Sequence, residues 1–143
     1  MSTMNNTKSA KGSCLCGKVE IHASTMKTDL GVCHCGMCRK WSAGPFLAVD
    51  CGTEVKIEGI NNVGIYSSSD WAERAFCKNC GTNLFYRLKE NQQHIVSSEL
   101  FNEPELNFDH QIFIDEKPSY YSFSNETKNM TGAEVFAAFA PKD

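Results

Sequence analysis

The chain has 143 residues, a formal net charge of -3 and 41% hydrophobic residues, nine Phe, four Tyr and two Trp among them. That is the size and apolar content of a single domain with its own core. The acidic balance argues against a nucleic-acid or acidic-membrane surface, which needs a basic excess, and no apolar run is long enough to span a bilayer.

In chain order, residues 1–11 read as a loose polar tail without the apolar stretch of a secretory signal, and 12–143 as one domain. That points to a cytoplasmic protein whose cysteines serve metal or redox roles. Lys18 to Ala23 alternates polar and apolar, as a half-buried strand does. Phe46 to Val49 is a short apolar strand, and Glu54 to Ile57 alternates again after a turn at Cys51-Gly52. Val63 to Tyr66, Arg74 to Phe76, Leu84 to Leu88 and His94 to Val96 follow, with Ile112 to Ile114 as the last. Turn residues at Gly59 to Asn62 and at Glu90 to Gln92 separate them. Helix is scarce: one turn over Met37 to Ser42, and a short helix opened by the capping-box spacing of Thr131 and Glu134. Val135, Phe136 and Phe139 would form the apolar face of that second helix. The pattern predicts a mainly β domain.

Eight cysteines are the outlying feature of the composition. Seven fall into three clusters: Cys14-Leu15-Cys16, Cys33-His34-Cys35-Gly36-Met37-Cys38 and Cys77-Lys78-Asn79-Cys80. Zinc takes four tetrahedral ligands, and close Cys pairs on tight turns supply two each. Gly17 and Gly81 follow the outer pairs, suiting knuckles whose backbone needs positive φ. Cys14, Cys16, Cys77 and Cys80 therefore read as one closed structural zinc site, with Lys18 and Lys78 placed to offset its negative charge. Cys33, Cys35 and Cys38 lie within six residues and read as a second, open zinc site, three protein ligands being the catalytic pattern.

Other uses of the cysteines are a disulfide framework, a dithiol redox centre at the C-x-x-C, and a non-catalytic binding module whose second zinc is completed by Cys51 or His34. Adjacent C-x-C thiols pair poorly, and a redox centre leaves two clusters unexplained. Cys51, alone at a strand end, reads as a small buried hydrophobe.

These motifs carry a resemblance. Gly12 to Val19, Cys33 to Ser42 (continuing Arg39-Lys40-Trp41-Ser42) and Phe76 to Leu84 resemble, in order and spacing, the glutathione-dependent formaldehyde-activating enzyme family, which includes the centromere protein V relatives. The resemblance implies an Mss4-like fold of small coiled antiparallel β-sheets around a structural zinc. It also implies two zinc ions per chain, with Cys33, Cys35 and Cys38 as catalytic ligands. The implied reaction joins glutathione and formaldehyde into S-hydroxymethylglutathione, formally a carbon–sulfur lyase running in reverse. One departure stands out: Lys117-Pro118-Ser119-Tyr120-Tyr121 carries Tyr where the family usually has Trp.

Zinc chemistry suggests how such a site works. Coordination deprotonates a thiol at neutral pH, and the open position would hold that thiolate or polarise the aldehyde. Arg39 and Lys40 are candidates to recognise the carboxylates of a peptide thiol, and Trp41 to wall the pocket. His22, His94 and His110 gather with no other His and receive no role.

Overall fold

The computed structural model of the protein describes residues 6–139, leaving out the side chain of Phe139. Eleven strands run in chain order. They are β1 (Thr7–Ser13), β2 (Glu20–Lys27), β3 (Asp29–Cys33), β4 (Phe46–Gly52), β5 (Val55–Glu58) and β6 (Val63–Ser67), followed by β7 (Ala72–Cys77), β8 (Asn83–Leu88), β9 (His94–Ser97), β10 (Asn107–Ile112) and β11 (Lys128–Met130). Two helices, α1 (Gly36–Ser42) and α2 (Gly132–Phe139), stand beside these strands among the described residues. The strands form a three-stranded sheet in the order β1-β2-β5 and an eight-stranded sheet in the order β11-β10-β3-β4-β9-β8-β7-β6. The mainly β class is therefore as expected.

Four particulars differ from the sequence reading. Of the expected loose tail, residues 1–5 lie outside the described residues, and Thr7 to Ser13 is instead a strand that pairs antiparallel with β2 from Thr7↔Lys27 to Ser13↔Glu20. Its residues are small or polar, so hydrophobic alternation gives no signal, and backbone pairing supplies the order. Strand β3, also unforeseen, runs antiparallel to β4 and parallel to β10. The antiparallel expectation fails at that end of the sheet, where β10 is parallel to both β3 and β11. Finally, the expected strand at Ile112 to Ile114 is instead the end of one. Phe113 turns to φ +55 and Ile114–Glu116 is a 3-10 turn. The polar stretch of β10 is strand because it has pairing partners on both edges, which its own side chains do not announce.

The principal core joins the two sheets. Val19, Ile21 and Met26 pack with Val49, Cys51, Leu84, Phe85 and Val96, all almost fully buried. Burial of each large apolar side chain contributes about 1.5–3 kcal/mol, so this core is substantial in its own right. Cys51 belongs to it, with its thiol pushed up to about 12 by burial. A second, smaller cluster contains Cys38, Phe46 and Ala48, with Trp41, Tyr86 and Ile95 against them.

The helix caps follow the sequence. Glu134 N–H donates to Thr131 Oγ1 at 3.2 Å, and Thr131 N–H donates to Glu134 Oε1 at 2.7 Å, the reciprocal pair of a capping box. Val135 is buried while Phe136 is 58% exposed, its ring edge-on to Phe113. The Phe139 side chain, expected on the same face, lies outside the described residues. Among the described residues no helix is long and apolar enough to cross a membrane.

Candidate metal centres

The topology brings distant cysteines together. The β1–β2 turn carries Cys14 and Cys16; the β7–β8 turn carries Cys77 and Cys80. All four Sγ atoms lie within 4.8 Å of one another. Cys14 and Cys16 Sγ are 3.6 Å apart, and Cys16 and Cys77 Sγ 3.8 Å. A disulfide needs about 2.05 Å, and all eight cysteines are free thiols. A tetrahedron with metal–sulfur arms of about 2.3 Å has edges of about 3.8 Å, so the spacing fits four sulfurs around one ion.

The knuckles are built as their sequence suggests. Gly17 and Gly81 stand at φ +80 and +83, left-handed backbone that glycine adopts without a Cβ penalty. Each turn closes on itself: Gly17 N–H donates to Cys14 O, and Gly81 N–H to Cys77 O. Val19 N–H points at Cys14 Sγ from 3.4 Å. Thr82 ties the two knuckles, its Oγ1 accepting from Leu15 N–H and lying 3.1 Å from Cys80 Sγ. That hydroxyl holds the Cys80 thiol down, to about 5. The Asn79 side chain, and after it the Lys18 backbone, keeps the Cys16 thiol below its ordinary value. Lys18 and Lys78 are both exposed, and neither ammonium bonds a sulfur in any described contact. Dipoles from Asn79, Thr82 and the backbone take the part expected of those lysines.

The second cluster sits where β3 ends and α1 begins. Cys33, Cys35 and Cys38 Sγ lie within 4.8 Å of one another. Cys35 is the N-cap of α1, and its Sγ accepts from Cys38 N–H at 3.4 Å. Glu116 Oε1 accepts from Gly36 N–H at 2.9 Å, a carboxylate at the helix start. Three thiols this close cannot all ionise by themselves. Hydrogen bonds from Cys33 and then Cys38 hold Cys35 as a thiolate, down to about 2, while the Cys35 and Cys38 contacts and then burial drive Cys33 far upward. A cation among the three sulfurs is what would allow all of them to lose their protons. The donor set therefore fits a thiophilic metal ion.

Neither proposed fourth ligand joins this cluster. Cys51 is in the other core, and among the described residues it belongs to neither sulfur group. His34 is fully buried but turned away: its Nε2 lies 2.7 Å from Gln111 Oε1 and its Nδ1 2.8 Å from Tyr121 Oη. With Gln111 Oε1 accepting, Nε2 carries the proton and Tyr121 O–H donates to Nδ1. Gln111 is held in turn by Thr127 Oγ1 at 2.8 Å. Desolvation keeps the His34 pKa below its ordinary value, in accord with a neutral ring. Tyr121 thus fastens the 117–121 segment to the metal loop. Tyr121→Phe is expected to leave an unpaired buried nitrogen and cost about 1–3 kcal/mol. Urea denaturation would read that loss, with metal content unchanged.

The sequence-chosen rim residues divide. Arg39 is partly buried and spends its Nε–H on His34 O at 2.9 Å, bracing the loop, whereas Lys40 is exposed. Trp41 does line the second cluster, edge-on to Phe46 at 5.3 Å. The cation that reaches a sulfur is one the sequence reading missed, Arg74 on β7. It is 3% exposed, and both of its terminal nitrogens stand 3.6 Å from Cys38 Sγ. Its signal was an arginine sharing a strand face with Ala72 and Phe76. A surface concavity that includes His22, Thr53 and Lys56 shares no residue with either sulfur cluster.

The chain is 39% identical over 127 residues to a Schizosaccharomyces pombe protein named an uncharacterized lyase, covering 87% of this chain and 93% of that one. It also resembles the crystal structure of a Rhodobacter sphaeroides protein, with a TM-score of 0.56 at 24% identity over 66% of this chain and 91% of that one, a likeness of fold. The family model described as glutathione-dependent formaldehyde-activating enzyme matches residues 9–116, a span that contains all eight cysteines. The chain belongs to the glutathione-dependent formaldehyde-activating enzyme family.

Proposed function

We propose that the protein is a zinc-dependent, carbon–sulfur lyase-type enzyme that forms or cleaves a thiol–aldehyde adduct. The favoured adduct is S-hydroxymethylglutathione. In the forward direction the thiol sulfur bonds to the formaldehyde carbon, and the carbonyl π bond opens onto its oxygen. The thiol proton ends on that oxygen as the new hydroxyl, so thiol and aldehyde combine with nothing left over. The family name supports these substrates, and the name of the yeast relative supports the lyase class. One observation carries the reading: three convergent sulfurs with neither Cys51 nor His34 among them. Such a set leaves a coordination position open, unlike the four-sulfur cluster beside it.

In this reading Cys14, Cys16, Cys77 and Cys80 hold a structural zinc, and Cys33, Cys35 and Cys38 hold the second. A zinc ion held by these three sulfurs would supply a positive centre that favours the thiolate form of a substrate thiol. The protein's part is to shape and dry the approach. Trp41, Phe46, Tyr86 and Ile95 wall the site with apolar surface, which excludes water that would compete with the thiol. Arg39 and Lys40 at the rim are assigned to the substrate carboxylates. The free thiols suit a reducing compartment, and we place the protein in the cytoplasm.

The test is exchange spectroscopy by NMR between free formaldehyde and its glutathione adduct. Protein loaded with metal in both sulfur clusters should speed the exchange above the spontaneous rate. Fully loaded protein that leaves the rate unchanged would rule out the formaldehyde assignment. If both metals also resist a chelator equally, the chain is a non-catalytic zinc module.

A further inference from the structure

The position of Arg74 has no counterpart in the roles assigned so far. It lies on β7, next to β6 and β8 in the eight-stranded sheet and far in sequence from the metal loop. A guanidinium that is 3% exposed is unfavourable unless its charge is answered. Among the described residues no carboxylate pairs with it. Its ring partners are Trp41 at 5.1 Å and Tyr86 at 5.0 Å, which hold the guanidinium through their π faces. Its polar partner is a sulfur, since both terminal nitrogens converge on Cys38 Sγ at 3.6 Å. The Nε atom is buried without a partner among the described residues. Tyr86 lies opposite Arg74 on β8, so the sheet register itself builds half of the aromatic clamp. Glu73, the acidic neighbour in sequence, faces away and pairs with Arg87 at 2.7 Å.

We propose that Arg74 is a positioning residue that sets the charge of the second metal site so that an anionic ligand can enter it. This rests on the reading of that site as a zinc centre open to a thiol. Three thiolates carry three negative charges against two on a divalent ion, so the bare site is a net anion and repels another. Arg74 returns one positive charge at the sulfur of Cys38 and brings the site to neutrality. Its two N–H donors also withdraw electron density from that sulfur, weakening it as a donor to the metal. Arginine suits the place because its flat cation stacks between two rings and keeps its charge when buried. The aromatic clamp fixes it there whether or not a substrate is present.

Cobalt(II)-substituted protein tests this without reference to turnover, because its thiolate charge-transfer band reports on the sulfurs. Arg74→Met keeps an unbranched chain beside the two aromatic rings and removes the guanidinium without burying a new polar group. Relative to the parent, this variant should move the charge-transfer band to longer wavelength, since Cys38 loses its donors. It should bind thiocyanate, an anionic probe, about tenfold more weakly while binding neutral imidazole within about twofold. Arg74→Lys, which keeps the charge but not the fork, should recover most of the thiocyanate affinity. A full complement of metal in the four-sulfur cluster verifies that each variant is folded. The proposal is overturned by an unmoved band, or by equal losses for thiocyanate and imidazole. Should formaldehyde exchange prove absent while these three results hold, the lyase reading alone falls.

Discussion

A Cys77→Ser variant is expected to lose most of the stability of the domain. Cys77 is fully buried at the end of β7, and its sulfur reaches across 61 positions of sequence to Cys16 at 3.8 Å. Serine offers a harder oxygen, which remains protonated at neutral pH, so it is a poor substitute ligand. With one corner missing, the ion is held weakly, and the tie between the β1–β2 turn and the β7–β8 turn goes with it. Zinc in small structural sites contributes about 10–16 kcal/mol to folding when there is no other core. Here a core of Val19, Ile21, Leu84 and Phe85 stands beside the four sulfurs, so the expected loss is smaller, on the order of 5 kcal/mol. Against a typical domain stability of about 5–15 kcal/mol, that leaves a marginal or unfolded chain. Urea titration with and without a strong chelator is the measurement. The parent should fall with chelator to near the level of Cys77→Ser, and the variant should barely respond to it. Equal midpoints for parent and variant would show that no metal ties the turns.

Cys35→Ser should have the opposite profile, keeping the fold and abolishing the chemistry. Cys35 is the N-cap of α1 and accepts from Cys38 N–H. Serine is among the preferred residues at that position, so the cap survives the change. What disappears is the sulfur best able to be an anion, the one its neighbours hold down to about 2. Two sulfurs from the remaining loop do not retain an ion well. Metal content should drop by the share of the three-sulfur cluster, while the four-sulfur cluster stays filled. Formaldehyde exchange should fall by about two orders of magnitude, at the upper end of what lost ligand-shell contacts cost. Urea stability should move by less than about 1 kcal/mol, since serine keeps the cap. If exchange persists at the parent rate with the second metal gone, the reaction lies elsewhere on the molecule. The two variants together separate a structural sulfur from a chemical one.

Most strands that announced themselves were those with one wet face, while β4 did so as a short apolar run. In β2, Ile21 and Ala23 alternate with half-exposed Glu20 and His22, and β5, β6, β8 and β9 were legible for similar reasons. Strands β1, β3 and β11 were not. Residues of β1 such as Ala10 and Gly12 are too small to mark a face, and β3 pairs with β10 some 78 positions later in the chain, from Asn107↔Asp29 onward. Local alternation cannot encode a partner that far away.

For the sites, the sequence alone determined which sulfurs gather: C-x-C and C-x-x-C, each followed by glycine, bring four together, and three cysteines on one short loop form a second group. Those assignments rest on covalent spacing, which short-range backbone geometry converts directly into sulfur positions. Only the tertiary structure decided what surrounds the sulfurs. It turned His34 toward Gln111 and Tyr121, put Cys51 in the main core, and gave Cys38 the Arg74 guanidinium as its partner. Those choices depend on sheet register, since β7 must lie beside β8 in one alignment for Arg74 to meet Tyr86 and point at the metal loop. Register is set by the packing of the whole sheet, and no neighbouring residue in the sequence records it.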